Sequence, residues 1–486
     1  MRTFLPFLLS MVFFGLSYWS GPLWFLAFFI FPPLLFGMRM VVSKAVFTVF
    51  LWGAFVGTLF LLIGLPPLLD AESEVFGAAT AFDPKLIARV LGIFAVAAGI
   101  FGGVFGIMFV ALKLVARKIP HEPLILFVFP ALWVVSELVI RVVTFGFDWW
   151  FVGIPLVAIG LFRELAGIFL GVPLLSFITV FSGSILYACC VFRPLTRIPL
   201  FYISLSLFGL IIFFLYGVML HERISAEYPA GLPSVAIIQP NVKFPDTFPI
   251  ERDENYGPLI KKALTRNVQT IIFSAQIVSP VTAESKLSKD FWTQTLGKTL
   301  IETDATIIFY IPIKTEGGVI FQTMFALQHG EVVGKYKKEI LFPVSDYRPG
   351  GFYKYLFDKP VGYSITPFVP ADAAEKNGLL TPDGIFAAAI CNEPFSPKFL
   401  NRIKRMGAPI LVVSGSDRPF LSNFIFRGTL RMAQLRATEA HVWLFRAYKT
   451  GISAIISPGG DIVQRLNRGE RGVIYFGEGA GFVEKF

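Results

Sequence analysis

Residues 1–220 are a succession of apolar runs joined by short loops, and no other stretch restricts the possible folds of this chain so strongly. Runs at 4–19, 23–38, 43–65, 88–115, 124–143, 165–192 and 198–219 each reach or approach the ~20 helical residues needed to cross a bilayer core. Backbone polar groups in a bilayer must satisfy one another, so these runs are expected as helices. Only 16% of the 486 residues are charged, against about 25% in a typical soluble protein, and the deficit falls mainly in this half. Residues 221–486 read as an ordinary globular domain. The expected architecture is an α-helical membrane domain of about seven spans over 1–220, followed by an α/β domain over 221–486.

Loop charge gives the spans a direction. With a cytoplasmic N-terminus, the inner loops hold Arg39 and Lys44, then Arg117 and Lys118, then Arg193 and Arg197. The outer loop 66–87 holds Asp70, Glu72, Glu74 and Asp83 against Lys85 alone. Basic residues therefore fall on alternate loops, as the positive-inside rule requires. An odd number of spans then puts everything after His221 outside the cytoplasm, which in a bacterium with two membranes is the periplasm. The first run follows only Arg2 and shows no small-residue cleavage site, so it is expected as a retained span. The first two runs, joined by Ser20-Gly21-Pro22, suggest a tight helical hairpin. The aromatic loop Thr144-Phe145-Gly146-Phe147-Asp148-Trp149-Trp150 reads as an interface belt, or alternatively as part of a lipid-binding mouth. Glu137 and Arg141, spaced i to i+4, are candidates for an ion pair.

The net charge of +10 raises the question of nucleic acid, but the soluble half has no basic cluster interleaved with aromatics. Three cysteines are too few for a disulfide framework, and Cys189 and Cys190 lie inside an apolar run. His121, His221, His329 and His441 show no metal-binding spacing. No motif argues for a metal, a nucleotide or another cofactor.

From residue 233 onward, buried strands alternate with helices and hairpins. Val235–Gln239, Thr270–Phe273 and Thr306–Tyr310 read as strands, and residues 256–267 as a helix. Phe321–Gln328 and Glu331–Tyr336 form a hairpin through His329-Gly330. Another hairpin is expected between Val442–Arg446 and Ile452–Ile456, turning at Pro458-Gly459-Gly460, and the helix before it at 426–439. The strand Ile385–Ile390 ends in Cys391, with Glu393 two residues beyond. A strand that delivers a thiol to its end beside a carboxylate can present a nucleophile, although a lone cysteine is more often core. Lys338 lies beside Lys335 and Lys337, a charge run that by itself reads as a solvated face.

The ordered segments Thr270–Pro280, Tyr336-Lys337-Lys338-Glu339-Ile340-Leu341-Phe342-Pro343 and Ala389-Ile390-Cys391-Asn392-Glu393 resemble the nitrilase superfamily, an αββα sandwich with a Glu-Lys-Cys triad. With the membrane half in front, the chain resembles the apolipoprotein N-acyltransferase family. Supporting stretches are Gly15–Phe36, Ala131–Gly153, Ile237–Asn241 and Leu430–Val463. The resemblance implies a multi-pass protein of the bacterial inner membrane with its nitrilase-like domain in the periplasm. It also implies two steps. Cys391 takes a fatty acyl chain from a phospholipid as a thioester, then passes it to the N-terminal amine of a lipoprotein. Lys338 is implied to stabilise the thiolate and the oxyanion. The family's base, a glutamate, is replaced here by Gln276, which cannot accept a proton near neutral pH. The family's acid eight residues after the lysine is Asp346, one methylene shorter, and the segment Ser416-Asp417-Arg418-Pro419-Phe420 lacks the family's tryptophan. Two readings follow. One is a working acyltransferase in which Asp346 or Glu393 takes the proton. The other is a catalytically impaired homologue that binds lipid or protein in the envelope, as in conjugal transfer.

Overall fold

The computed structural model describes residues 3–64, 84–143, 146, 148, 151–191, 197–224, 231–242, 245–278, 282–342, 346–347, 368–372, 379–381, 384–416, 423–477 and 482–485. The chain divides into two compact units, one within residues 1–223 and the other over 224–486.

The first unit is helical. Its principal helices are α1 (Phe4–Trp19), α2 (Phe31–Val41), α3 (Val46–Gly64), α4 (Pro84–Val115), α5 (Phe129–Val143), α6 (Gly160–Ile168), α7 (Val172–Val191) and α8 (Arg197–Ile224). Among the described residues, six helical segments are long and apolar enough to cross a membrane, and Phe4–Tyr18 is a shorter apolar helix. This pattern fits a multi-pass membrane protein. The run expected as one span at 165–192 is interrupted. It divides into α6 and α7 around Gly171, whose φ of +70° suits a residue without Cβ.

Close packing in this unit relies on glycine. Gly53 and Gly57 on α3 face Gly102 and Gly106 on α4, and a Cβ on Gly53 would lie 2.5 Å from the Phe105 carbonyl oxygen. With lipid outside, helices gain little from hydrophobicity alone, and small residues let backbones approach. Lys113, near the end of α4, donates to the carbonyls of Val42 (2.6 Å) and Lys44 (2.7 Å). The basic loops after α2 and α4 therefore share one end of the helices, as the alternation of loop charge requires.

Glu137 and Arg141 do not pair. Glu137 is buried and accepts from the Trp133 indole (3.1 Å) and the Val152 N–H (2.8 Å), while Arg141 pairs with Asp148 (3.1 Å). Tertiary contacts from the following loop outcompete the helical spacing. Loop residues 66–83, Arg193, and Thr144, Phe145, Phe147, Trp149 and Trp150 lie outside the described residues.

The second unit contains strands β1 (Val235–Gln239), β2 (Thr270–Gln276), β3 (Thr282–Ala283), β4 (Thr306–Lys314), β5 (Ile320–Gln328), β6 (Glu331–Lys337), β7 (Leu379–Thr381), β8 (Gly384–Ile390), β9 (Ile410–Gly415), β10 (Trp443–Tyr448), β11 (Ser453–Ile456), β12 (Ile462–Leu466), β13 (Gly472–Phe476) and β14 (Phe482–Lys485). One sheet has the order β14-β13-β1-β2-β4-β5-β6 with β3 beside β4, and the other β12-β11-β10-β9-β8-β7. Strands β1, β2 and β4 are parallel, as are β8, β9 and β10.

The two-residue period of a strand sorts side chains between layers. Val235, Ile237, Ile272 and Ile308 point into the core between the sheets, where Ala387, Ala389 and Val412 also pack. Their neighbours Ala236, Ile238, Ile271, Phe273 and Ile307 face the opposite way. There they bury against α9 (Gly257–Thr265) and α10 (Lys289–Leu296) through Leu259, Ile260, Trp292 and Leu296. Helices α11 (Pro397–Met406) and α12 (Asn423–Ala440) pack on the second sheet through Phe399, Ile403, Leu430 and Ala437. The result is the expected αββα sandwich. The second hairpin turns elsewhere than expected: β10 and β11 pair across residues 449–452, while Pro458-Gly459-Gly460 lies between β11 and β12.

Candidate active site

Cys391 is the first residue past β8. Its φ is +59°, a left-handed conformation that costs a non-glycine residue on the order of 1–3 kcal/mol. Two bonds hold it there. Its N–H donates to the Ser414 carbonyl (2.8 Å), and the Tyr448 hydroxyl donates to its carbonyl oxygen (3.2 Å). The strand ends abruptly, and the thiol stands half-buried at its tip.

Lys338 is the first residue past β6, and its N–H continues the ladder onto the Gln322 carbonyl of β5 (2.9 Å). Strand alternation separates the three neighbouring lysines. Lys335 pairs with Glu284 and Lys337 lies over the Phe321 ring, while Lys338 follows Tyr336 inward and is 1% exposed. Its ammonium donates to Asp346 Oδ2 (2.7 Å) and Gln322 Oε1 (3.2 Å). Burial alone would lower its pKa. The charges of Asp346, Cys391 and Glu393 outweigh burial and hold it above the ordinary lysine value.

Both carboxylates of this cluster are occupied. Asp346 Oδ1 accepts from Gln322 Nε2 (2.8 Å), and Oδ2 accepts from Lys338 and from the Phe342 N–H (2.7 Å). Glu393 is fully buried. Its Oε1 accepts from the Tyr336 hydroxyl (2.8 Å) and the N–H groups of Glu339 (2.7 Å) and Ile340 (3.0 Å), and its Oε2 from the Ile390 N–H (2.7 Å). It thus ties the backbone beside Lys338 to the backbone before Cys391. Burial pushes its pKa from 4.5 to about 7 despite Lys338 and the hydrogen bonds. Behind it, the Arg436 side chain donates to the Pro394 carbonyl (2.6 Å).

Gln276 closes β2 just after a bulge, where Ala275 has φ +56° and the pairing with β4 shifts register. Its amide Nε2 donates to the Val278 carbonyl (2.6 Å), and its own carbonyl accepts from Lys449 Nζ. Ser414 fastens this corner. Its Oγ accepts from the Ala275 N–H (2.8 Å) and donates to the Phe273 carbonyl (3.2 Å), while its backbone carbonyl holds Cys391. Tyr310 pairs with Gln276 in register and interacts electrostatically with Cys391 and Asp346. Burial, followed by those two charges, keeps its phenol neutral.

The structure therefore gathers Cys391, Lys338, Asp346 and Glu393 around two strand ends, with Gln276 joined to them through Ser414. Gln322 and Ser414 were not singled out by sequence reasoning, and Tyr448 and Lys449 entered it only as part of the stretch Leu430–Val463, with no role at the site. Gln322 and Ser414 did carry a signal, as polar residues at inward positions of otherwise apolar strands. Pro280 and residues 343–345 and 417–420 lie outside the described residues. Among the described residues, no group of three His, Cys, Asp or Glu side chains is placed to hold a metal ion.

Chemically, a half-buried thiol and a buried ammonium stand at two strand ends bridged by Glu393, and a cation near a thiol is the arrangement that favours a nucleophilic thiolate. The amide of Gln276 cannot take a proton, and the two acids already accept from several donors each.

Residues 282–477 match the carbon–nitrogen hydrolase family. An apolipoprotein N-acyltransferase of Aquifex aeolicus is 25% identical over 367 residues, covering 72% of this chain and 75% of that protein. One from Pseudomonas syringae pv. tomato is 29% identical over 261 residues, and there the match spans only 51% of this chain and 49% of that protein. A solved nitrilase-superfamily structure from Saccharomyces cerevisiae is 17% identical, covers 51% of this chain and 92% of that one, and has a TM-score of 0.39. The chain is thus similar to the carbon–nitrogen hydrolase family over residues 282–477 and, more distantly and over more of its length, to apolipoprotein N-acyltransferases.

Proposed function

We propose that this protein forms a fatty acyl thioester on Cys391 from a phospholipid and passes the chain to the N-terminal amine of a lipoprotein. The observation that carries this reading is the half-buried thiol at a left-handed strand end that Glu393 ties to the backbone beside the buried Lys338 ammonium. In the first step the thiolate sulfur bonds to the ester carbonyl carbon. The carbonyl–oxygen bond breaks, and the lysophospholipid hydroxyl leaves with a proton from solvent. Lys338 stabilises first the thiolate and then the oxyanion. In the second step the amine nitrogen bonds to the same carbon, the carbon–sulfur bond breaks, and the amine proton passes to solvent. A carboxylate at position 276 would assist this last transfer, typically by about a hundred- to ten-thousand-fold. With Gln276 there, the second step is the slow one and the thioester accumulates. In this reading Asp346 and Glu393 serve as ordering groups, and the protein lies in a bacterial inner membrane with its second unit in the periplasm.

The second reading is a catalytically impaired homologue that binds lipid or protein in the envelope. It is favoured by one observation, the engagement of Asp346 and Glu393 by donors while Gln276 is an amide. Intact-mass spectrometry in phospholipid separates the two, with Cys391→Ala as control. A fatty-acyl increment that hydroxylamine removes and the control lacks supports the acyltransferase. Absence of the adduct in the parent together with its appearance in Gln276→Glu supports the impaired homologue.

A further inference from the structure

We propose that Gln322 is a positioning residue that aims Lys338 at Cys391, by closing a three-membered ring of side chains with Lys338 and Asp346. The ring is complete in the structure. Gln322 lies on β5, is 7% exposed, and meets Lys338 twice, through its backbone carbonyl (2.9 Å) and through Oε1 (3.2 Å). Its Nε2 donates to Asp346 Oδ1 (2.8 Å), and Asp346 Oδ2 accepts from Lys338 (2.7 Å).

An amide presents a donor on one side and an acceptor on the other, so the ring has one polarity. Nε2 requires an acceptor, which Asp346 Oδ1 supplies, and Oε1 requires an N–H, which Lys338 supplies. An ammonium has three protons. Two are held by Asp346 and Gln322, which leaves the third for Cys391, whose strand end is tied to the backbone beside Lys338 by the two oxygens of Glu393. A neutral amine held by the same two bonds would turn its lone pair toward the sulfur and would not stabilise a thiolate. Without Gln322, Asp346 alone fixes one of the three protons and the ammonium can rotate.

This assignment rests on the proposed reaction only in that Cys391 acts as a thiolate, so its test uses no lipid. The full-length chain with Cys189→Ser and Cys190→Ser is purified in detergent, and the rate of Cys391 alkylation by iodoacetamide is followed against pH. An unassisted thiol titrates near ~8.5, and a thiolate held by Lys338 titrates lower. Gln322→Leu is expected to raise the midpoint by about one unit and to slow alkylation near neutral pH about tenfold. Gln322→Glu keeps an acceptor for Lys338 and can share a proton with Asp346, so its midpoint is expected to stay with the parent. If Gln322→Leu does not fold, Gln322→Thr, too short to reach the ammonium, takes its place.

The proposal is overturned if the Leu or Thr profile superimposes on the parent, if Gln322→Glu shifts as far as Gln322→Leu, or if the parent midpoint equals that of a free thiol. A shifted Leu profile in a protein that never acylates supports the positioning role while refuting the acyltransferase reading.

Discussion

Replacing Glu393 by Gln tests whether burial or hydrogen bonding governs this acid. Its pKa of about 7 in the folded protein, against 4.5 for an ordinary glutamate, means that the folded state keeps the proton to higher pH than the unfolded chain. Between those values the folded state binds more protons, so stability falls as pH rises. The contribution is fully present below about 4.5 and is lost as pH climbs through about 7. A shift of this size corresponds to roughly 3 kcal/mol. The amide that Glu393→Gln introduces carries no proton to lose. It can keep the three bonds now made by Oε1, but its NH2 then meets the Ile390 N–H, leaving a buried donor unpaired at a pH-independent cost of about 1–3 kcal/mol. Glu393→Gln is therefore expected to be less stable than the parent near pH 4.5 and to draw level with it or pass it by pH 8. The relative change should be about 3 kcal/mol. Denaturant unfolding of the full chain in detergent measures this, followed by tryptophan fluorescence, since Trp292 and Trp443 are buried in the second unit. A stability difference that stays constant from pH 4.5 to 8 refutes the reasoning. It would show that the four donors keep Glu393 ionised throughout.

Two further perturbations test the frame around the site and the packing of the first unit. Ser414→Ala strands the buried Ala275 N–H and cuts the side-chain tie between the sheets, so it should cost about 1–3 kcal/mol in the same unfolding assay. An unchanged midpoint would remove Ser414 from the structural account. Gly57→Ala would drive a Cβ into the Phe101 carbonyl and separate α3 from α4, lowering the thermal midpoint of the first unit by an amount equivalent to about 1–3 kcal/mol. Gly103→Ala, whose Cβ meets nothing within 4 Å, should be neutral or mildly stabilising. Equal effects at the two positions would refute a glycine-dependent contact.

Apolar periodicity made the main strands and the membrane helices legible, because each reports directly which side of the chain avoids water. Strands β3 and β7 are two and three residues long, and β12 mixes polar and apolar residues on both faces, with Val463 and Arg465 exposed, so their local signal was too weak to read. The turn residues Pro458-Gly459-Gly460 announced a reversal of the chain but not which strands it joins. The site was legible to the extent that it stands at strand ends. Cys391 follows a run of buried alanines, and Lys338 shares its face with Tyr336, which the neighbouring Lys335 and Lys337 obscured. What joins these residues lies far away in sequence: Ser414 meets Ala275 across 139 positions, and Glu393 meets Tyr336 across 57. No local pattern encodes such a contact. The same long-range bonds bear on the departure that the sequence did disclose. Gln276 sits on a bulge fixed by Ala275 and Ser414 and accepts Lys449 through its backbone carbonyl. These three supports act through the backbone. The side chain adds one bond, from Nε2 to the Val278 carbonyl, which a carboxylate could not make, so Gln276→Glu would change both the proton chemistry of the corner and this one contact while the backbone frame stays.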